Sequence, residues 1–194
     1  MKKILFSILL GLALVATSCD SLLDIQQKGV ISQDDFYKSD DDAVAARADM
    51  YVNFLTNVAG TAGIYNSELM ILNYSADDVL SAGGDNADHG DFRIFDEFSY
   101  DNAGGVLKGL YNNYVNAIYH TNLVISNFST ENRNQTEPKF TSAFTKQIVE
   151  EARVMRAYLH MMMALSFYAP NIVDRLLEPD ELPVQATDQK QVLD

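Results

Sequence analysis

Apolar residues recur at three- and four-residue spacing in three stretches of this 194-residue chain, and each stretch predicts a helix. The first places Val44, Ala48, Tyr51, Leu55 and Val58 on one face, which the spacing predicts to be the buried one. Ser39 stands ahead of it as an N-cap, because its hydroxyl can accept from the free N–H groups of the first turn. Asp40, Asp41 and Asp42 suit the positive end of the helix dipole, and Gly60 and Gly63 end the helix. The second helix carries Leu107, Tyr111, Tyr114, Ile118, Ile125 and Phe128 on one face, flanked by Leu110, Val115, Leu123 and Val124. The third repeats Phe144, Ile148, Ala152, Met155, Leu159, Met162 and Met163 and runs to about Tyr168, where Pro170 stops it.

Between the helices the pattern is weaker. Residues 69–72 are a short apolar run, 81–91 a Gly- and Asp-rich polar loop, and 101–105 a turn. The segment Phe92 to Tyr100 is rich in aromatics but has neither helical nor strand period. Residues 129–139, with Pro138, form a polar linker. The stretch 171–194 shows no amphipathic element and no capping motif. The expected fold is therefore mainly α, built of helix pairs compatible with a tetratricopeptide-like repeat scaffold. The Trp-containing signature of that repeat is absent, since the chain has no Trp.

The N-terminus changes the picture most. Met1-Lys2-Lys3 precedes an apolar run from Ile4 to Ala16, and Thr17-Ser18-Cys19 follows. A basic start, a short apolar run and small residues at the exit read as a secretory signal peptide. A membrane-spanning helix needs about 20 apolar residues, more than this run offers. Ala16-Thr17-Ser18-Cys19 resembles a bacterial lipobox, with Ala16 where Leu is usual. Cys19 would then be acylated after removal of residues 1–18. The weaker alternative is an ordinary signal peptide with an incidental cysteine. Residues 19–38 read as a lipidated tether and lead-in, and 39–194 as one helical domain.

Composition narrows the function. Hydrophobic residues make up 47% of the chain, enough for a core. The net charge of -13 repels phosphate backbones, which argues against a nucleic-acid partner. Cys19 is the only cysteine, so its acylation would leave no thiol for a disulfide or a thiolate metal site. No His-Glu-x-x-His, Gly-x-Ser-x-Gly or phosphate-binding glycine loop occurs, so neither an enzyme nor a cofactor is expected. Glu150 and Glu151 are adjacent and point about 100° apart on a helix, so they cannot flank one glycosidic bond. Asp85, Asp88 and Asp91 offer oxygens, but without the spacing of a calcium loop they read as solvated, and no metal site is assigned. Met161, Met162 and Met163 read as core filler. Arg153 and Arg156 interrupt the third helix and read as ion-paired, with Glu150 or a neighbouring Asp as partner. Phe92, Phe95, Phe98 and Tyr100, with Asn102, offer rings for the apolar faces of sugars and an amide for their hydroxyls. The competing reading is that the rings fill space between helices.

Four features together resemble the N-terminal part of the SusD/RagB family of Bacteroidetes lipoproteins. They are Cys19-Asp20-Ser21-Leu22-Leu23-Asp24; Phe36-Tyr37-Lys38-Ser39 with its acidic cap and the later Tyr51; Leu110-Tyr111 through Ile118 to Asn122, Val124 and Ile125; and Glu151-Ala152-Arg153-Val154-Met155-Arg156-Ala157-Tyr158-Leu159. The resemblance implies a tetratricopeptide-like scaffold with ligand loops, anchored by lipid in the outer membrane and exposed at the cell surface. It implies binding of oligosaccharides or other oligomeric nutrients for a SusC-like TonB-dependent transporter. A scaffolding lipoprotein with a protein partner and no small ligand is the alternative. The family's Tyr-Gly-x-Val-Pro step is replaced here by Phe167-Tyr168-Ala169-Pro170, with a Pro-Val pair only at Pro183-Val184. Family members are longer, so the chain is expected to represent their N-terminal portion.

Overall fold

The computed structural model describes residues 36–37, 39–59, 72–76, 78–81, 85, 90–100, 105–129 and 143–194. It is mainly α, with 68% of the described residues helical. Helix α1 is Asp40–Ala59, α2 is Gly90–Asp96, α3 is Gly105–Phe128 and α4 is Ala143–Phe167. Two short strands follow, β1 (Asn171–Ile172) and β2 (Val184–Gln185), and then α5 (Gln189–Leu193). The strands are antiparallel, with Asn171 opposite Gln185 and Ile172 opposite Val184.

Ser39 caps α1 reciprocally. Its hydroxyl lies 3.2 Å from the Asp42 N–H it accepts, and Asp42 Oδ2 accepts from the Ser39 N–H at 2.8 Å and from its hydroxyl at 2.7 Å. This is a capping box with Asp in the Glu position.

Helix α3 is central. It runs antiparallel to α1, because Tyr37 meets Phe128 while Asp49 meets His120. It also runs antiparallel to α4, because Asn122 meets Arg156 while Tyr111 meets Phe167. Consequently α1 and α4 are parallel, with Arg47 beside Glu151 and Phe54 beside Tyr158. The shared core joins Ala43, Ala46 and Met50 of α1 to Leu110, Tyr114, Ile118 and Ile125 of α3 and Ile148, Ala152, Leu159 and Met163 of α4.

The α3 and α4 faces match the periodicity, with Leu107, Tyr111, Phe144 and Met162 only half-buried. The α1 face does not. Val44, Ala48, Tyr51 and Leu55 point outward, and the buried stripe is Ala43, Ala46 and Met50. Apolar residues surround α1 on several sides, so spacing alone does not select the seam. The small side chains of Ala43 and Ala46 admit the close approach that Val44 would block. The side chain of Val58 lies outside the described residues.

Two further expectations are corrected. The segment 92–100 opens in α2, whose Phe95 is buried beside the ring of Tyr100. The stretch 171–194 does hold a capped helix. Asp188 caps α5 by accepting from the Gln191 N–H at 2.9 Å, and Gln191 Oε1 accepts from the Thr187 N–H at 2.8 Å. Gln189 ties α5 to α4 by donating to the Ala164 carbonyl at 2.9 Å.

Candidate functional site

The predicted aromatic site divides in two. Phe95 is 1% exposed and its ring lies 5.3 Å from that of Tyr100, so it packs rather than faces solvent. Phe92 is half-buried beside Tyr74. Phe98 and Tyr100 are exposed. Asn102 lies outside the described residues, as does Cys19.

Phe98 owes its exposure to the way α2 ends. Its φ is 50°, in the left-handed region that favours glycine. Ser99 N–H donates to the Ile94 carbonyl at 2.9 Å and Phe98 N–H to the Phe95 carbonyl at 3.3 Å. That pair of bonds is a Schellman ending with phenylalanine in the glycine position. Ser81 braces the turn, its hydroxyl 3.2 Å from Asp96 Oδ2. Helix α4 ends in a related way at Tyr168, whose φ is 62° and whose N–H reaches the Ala164 carbonyl at 3.0 Å.

The two arginines of α4 have separate roles. Arg153 pairs with Glu150, as expected for a charge on a packed helix. Arg156 donates to Asn122 Oδ1 at 2.8 Å and to the carbonyl of Asp174. Asn122 is 1% exposed and turns its amide nitrogen to the carbonyls of Val173 (2.9 Å) and Arg175 (3.2 Å). His160 completes the cluster, with Nε2 3.1 Å from the Val173 N–H and Nδ1 3.0 Å from the Arg156 carbonyl. An N–H can only donate, so Nε2 carries the lone pair and Nδ1 the proton. Burial pushes the His160 imidazole below its usual range, and Arg156 adds to that; the bond to the Arg156 carbonyl and the charge of Asp174 oppose it. These residues clamp 173–175 onto α3 and α4, satisfying backbone groups that no sheet partner reaches.

A second polar cluster joins α1 to α4. Arg47 grips Glu151 with two bonds, Nε to Oε2 at 2.7 Å and a terminal nitrogen to Oε1 at 3.0 Å. Gln147 donates to Glu151 at 3.0 Å and the Tyr51 hydroxyl at 3.4 Å. Burial works to raise the Glu151 carboxyl, but these bonds outweigh it and hold the group below its usual range. Beyond this cluster a groove of about 560 Å³ opens between the helices, walled by Tyr51, Phe54, Val154, Met155 and Tyr158. Periodicity missed this groove. The signal was a second apolar stripe on α4, at Val154, Tyr158, Met161 and Leu165, offset from the core stripe.

Among the described residues, no three His, Cys, Asp or Glu side chains converge as metal ligands. Asp85 is exposed; Asp88 and the side chain of Asp91 lie outside the described residues. No described helix is long and apolar enough to cross a membrane. No protein-family model matches the chain, and no curated protein and no solved structure matches it significantly.

Proposed function

We propose that this chain is a lipid-anchored, surface-exposed outer-membrane lipoprotein of the SusD/RagB kind. It binds glycans or other oligomeric nutrients and passes them to a SusC-like TonB-dependent channel, without turnover. One observation carries the reading: Asn122 and Arg156, drawn from two separate motifs of the resemblance, bond to each other at 2.8 Å. Tyr37, from a third motif, packs its ring edge-on against Phe128 of α3. Motifs far apart in the sequence thus meet in one tertiary unit, which supports the resemblance. The antiparallel α3–α4 pair, with α1 alongside it and parallel to α4, suits a tetratricopeptide-like layer. Exposed Phe98 and Tyr100 supply rings for sugar faces, and the lipobox ending in Cys19 supplies the anchor.

The test has two parts. Cells expressing the chain are fed labelled palmitate, and intact cells are treated with protease. The expected result is label on the wild type, none on Cys19→Ala, and digestion of the surface protein. A glycan panel then reads ligand binding in the wild type and in Phe98→Ala. An unlabelled wild type, or a protein shielded from protease on intact cells, overturns the reading.

A further inference from the structure

Residues 168–194 join the molecule on different terms from the helices. Of these, only half-buried Val173 packs against the shared core, while Tyr168, Leu182, Val184 and Leu193 are exposed. Hydrogen bonds tie the stretch 171–186 to α3 and α4 instead. Asn122 donates to the carbonyls of Val173 and Arg175, Arg156 donates to that of Asp174, and His160 Nε2 accepts from the Val173 N–H at 3.1 Å. The stretch also has its own internal bonds: the β1–β2 pair, Arg175 to Glu181, and the Ala186 N–H to the Pro170 carbonyl at 3.1 Å. A segment that buries so little apolar surface can open on its own, below the cost of unfolding the core. It is fastened at both ends, by the left-handed turn at Tyr168 and by Gln189 on the Ala164 carbonyl.

Only one of these ties depends on pH near neutrality. The Asn122 amide does not titrate, and the Arg156 guanidinium stays charged. His160 must keep a lone pair on Nε2 to accept from Val173. The charged groups around it come from three elements. On α4, Arg156 lies beside it, and Arg153, paired with Glu150, is farther along the same wall. On the stretch are Asp174 and Arg175, the latter paired with Glu181. On α5, Asp194, paired with Lys190, borders the same space; α3 presents the neutral Asn122. Burial and Arg156 disfavour a charged ring and outweigh Asp174 and the Arg156 carbonyl, which favour it. A cavity of about 730 Å³, walled by His160, Ile172, Asp174 and Val192, lies between α4, β1 and α5. The ring and the stretch thus border open space, into which the segment can shift.

We propose that His160 is an acid-operated latch, whose protonation releases 171–186 from α3 and α4 while the three-helix core stays folded. Protonated Nε2 carries a hydrogen toward the Val173 N–H, so two donors face each other and the bond is lost. The released stretch remains a loop fastened at Tyr168 and Gln189. Its departure takes Ile172 and Asp174 from the wall of the cavity and only Val173 from the packing around the core. The folded imidazole binds its proton more weakly than a free one. Docking is therefore whole above the usual imidazole pKa of about 6.5 and is lost as the pH falls through the folded value. This inference does not depend on the nutrient-binding reading.

The test is amide hydrogen exchange, read by NMR on the full chain in neutral detergent micelles from pH 7.5 down to 5.5 and corrected for the intrinsic exchange rate. Protection of the Val173 amide should fall with pH, by at most about tenfold per pH unit because one proton is involved. Protection of the Ile118 amide, in the middle of α3, should hold. His160→Gln keeps an acceptor without a titrating ring, so its Val173 protection should not change with pH. His120→Gln, which removes the histidine paired with Asp49, should behave as the wild type does. The proposal is overturned by a Val173 amide indifferent to pH in the wild type, by an equal pH dependence in His160→Gln, by its loss in His120→Gln, or by Ile118 falling in step with Val173. Should His160→Gln leave Val173 unprotected at every pH, the wild type decides alone. The His160 ring signal and Val173 protection must then share one midpoint, and separate midpoints overturn the latch.

Discussion

Val173 donates its backbone N–H to His160 Nε2 at 3.1 Å, while the opposite ring nitrogen lies 3.0 Å from the carbonyl of Arg156. The neutral imidazole satisfies both bonds at once. A protonated ring has no acceptor left for Val173 and sets a positive charge near Arg156. The folded-state affinity of His160 for a proton is therefore depressed below the unfolded value. The unfolded chain binds the extra proton, so stability is whole above the usual imidazole pKa of about 6.5 and is lost as the pH falls through the folded value. Denaturation midpoints measured from pH 7.5 down to 5 should fall more steeply for the wild type than for His160→Gln, which keeps an acceptor but cannot titrate. The difference in slope can reach about 1.4 kcal/mol per pH unit and no more. Parallel slopes would remove His160 from the account.

Asn122 is the hinge pin of the same cluster. Replacing it with alanine strands the carbonyls of Val173 and Arg175 and takes a partner from Arg156. The expected loss is about 1–3 kcal/mol. Hydrogen exchange should quicken across 171–186, where β1 and β2 pair, more than in the middle of α3. Uniform quickening would mean that Asn122 supports the whole bundle rather than this segment.

The two apolar stripes of α1 make opposite predictions. Ala43 is fully buried, so Ala43→Leu overfills the α1 seam and should cost about 1–3 kcal/mol. Leu55 is exposed, so Leu55→Ala should change stability by less than about 0.5 kcal/mol. Chemical denaturation separates the two directly. Ile118→Ala, in the fully buried middle of α3, sets the scale at about 2–5 kcal/mol.

Phe98 and Tyr168 both occupy left-handed positions that glycine fills without strain. Phe98→Gly and Tyr168→Gly should each raise stability by up to about 1 kcal/mol, read as a rise of a few degrees in Tm. For Phe98 the gain should come with weaker glycan binding under the proposed function, because the exposed ring is removed. A stabilised variant that binds as before would take Phe98 out of the ligand surface.

The sequence was most legible where one stripe was clearly more apolar than any other. In α3, Tyr114, Ile118, Ile125 and Phe128 leave no rival face, and the structure buries all four. In α1 the larger residues Val44, Tyr51 and Leu55 outweighed Ala43 and Ala46 on any hydrophobic scale, yet close approach of helices favours small residues. The cap at Asp188 was readable, since Gln191 stands three residues on, as a capping box requires. The helix it caps, α5, has too few turns to show a period. The clamp of Asn122, Arg156 and His160 was not readable as a contact. Its members lie on two helices joined by a long linker, and only the antiparallel register of α3 and α4 brings them together.

The parallel placement of α1 and α4 has a kinetic consequence. The bond from Arg47 to Glu151 closes a loop of 104 residues, and the seam of Ala43, Ala46 and Met50 has no complete lining until α4 has been made. Ordering such distant segments costs chain entropy before any contact rewards it, which slows folding. During synthesis the first half of the chain therefore has no finished core to collapse upon. A polypeptide of this design completes its shared core only once α4 has been added to α1 and α3.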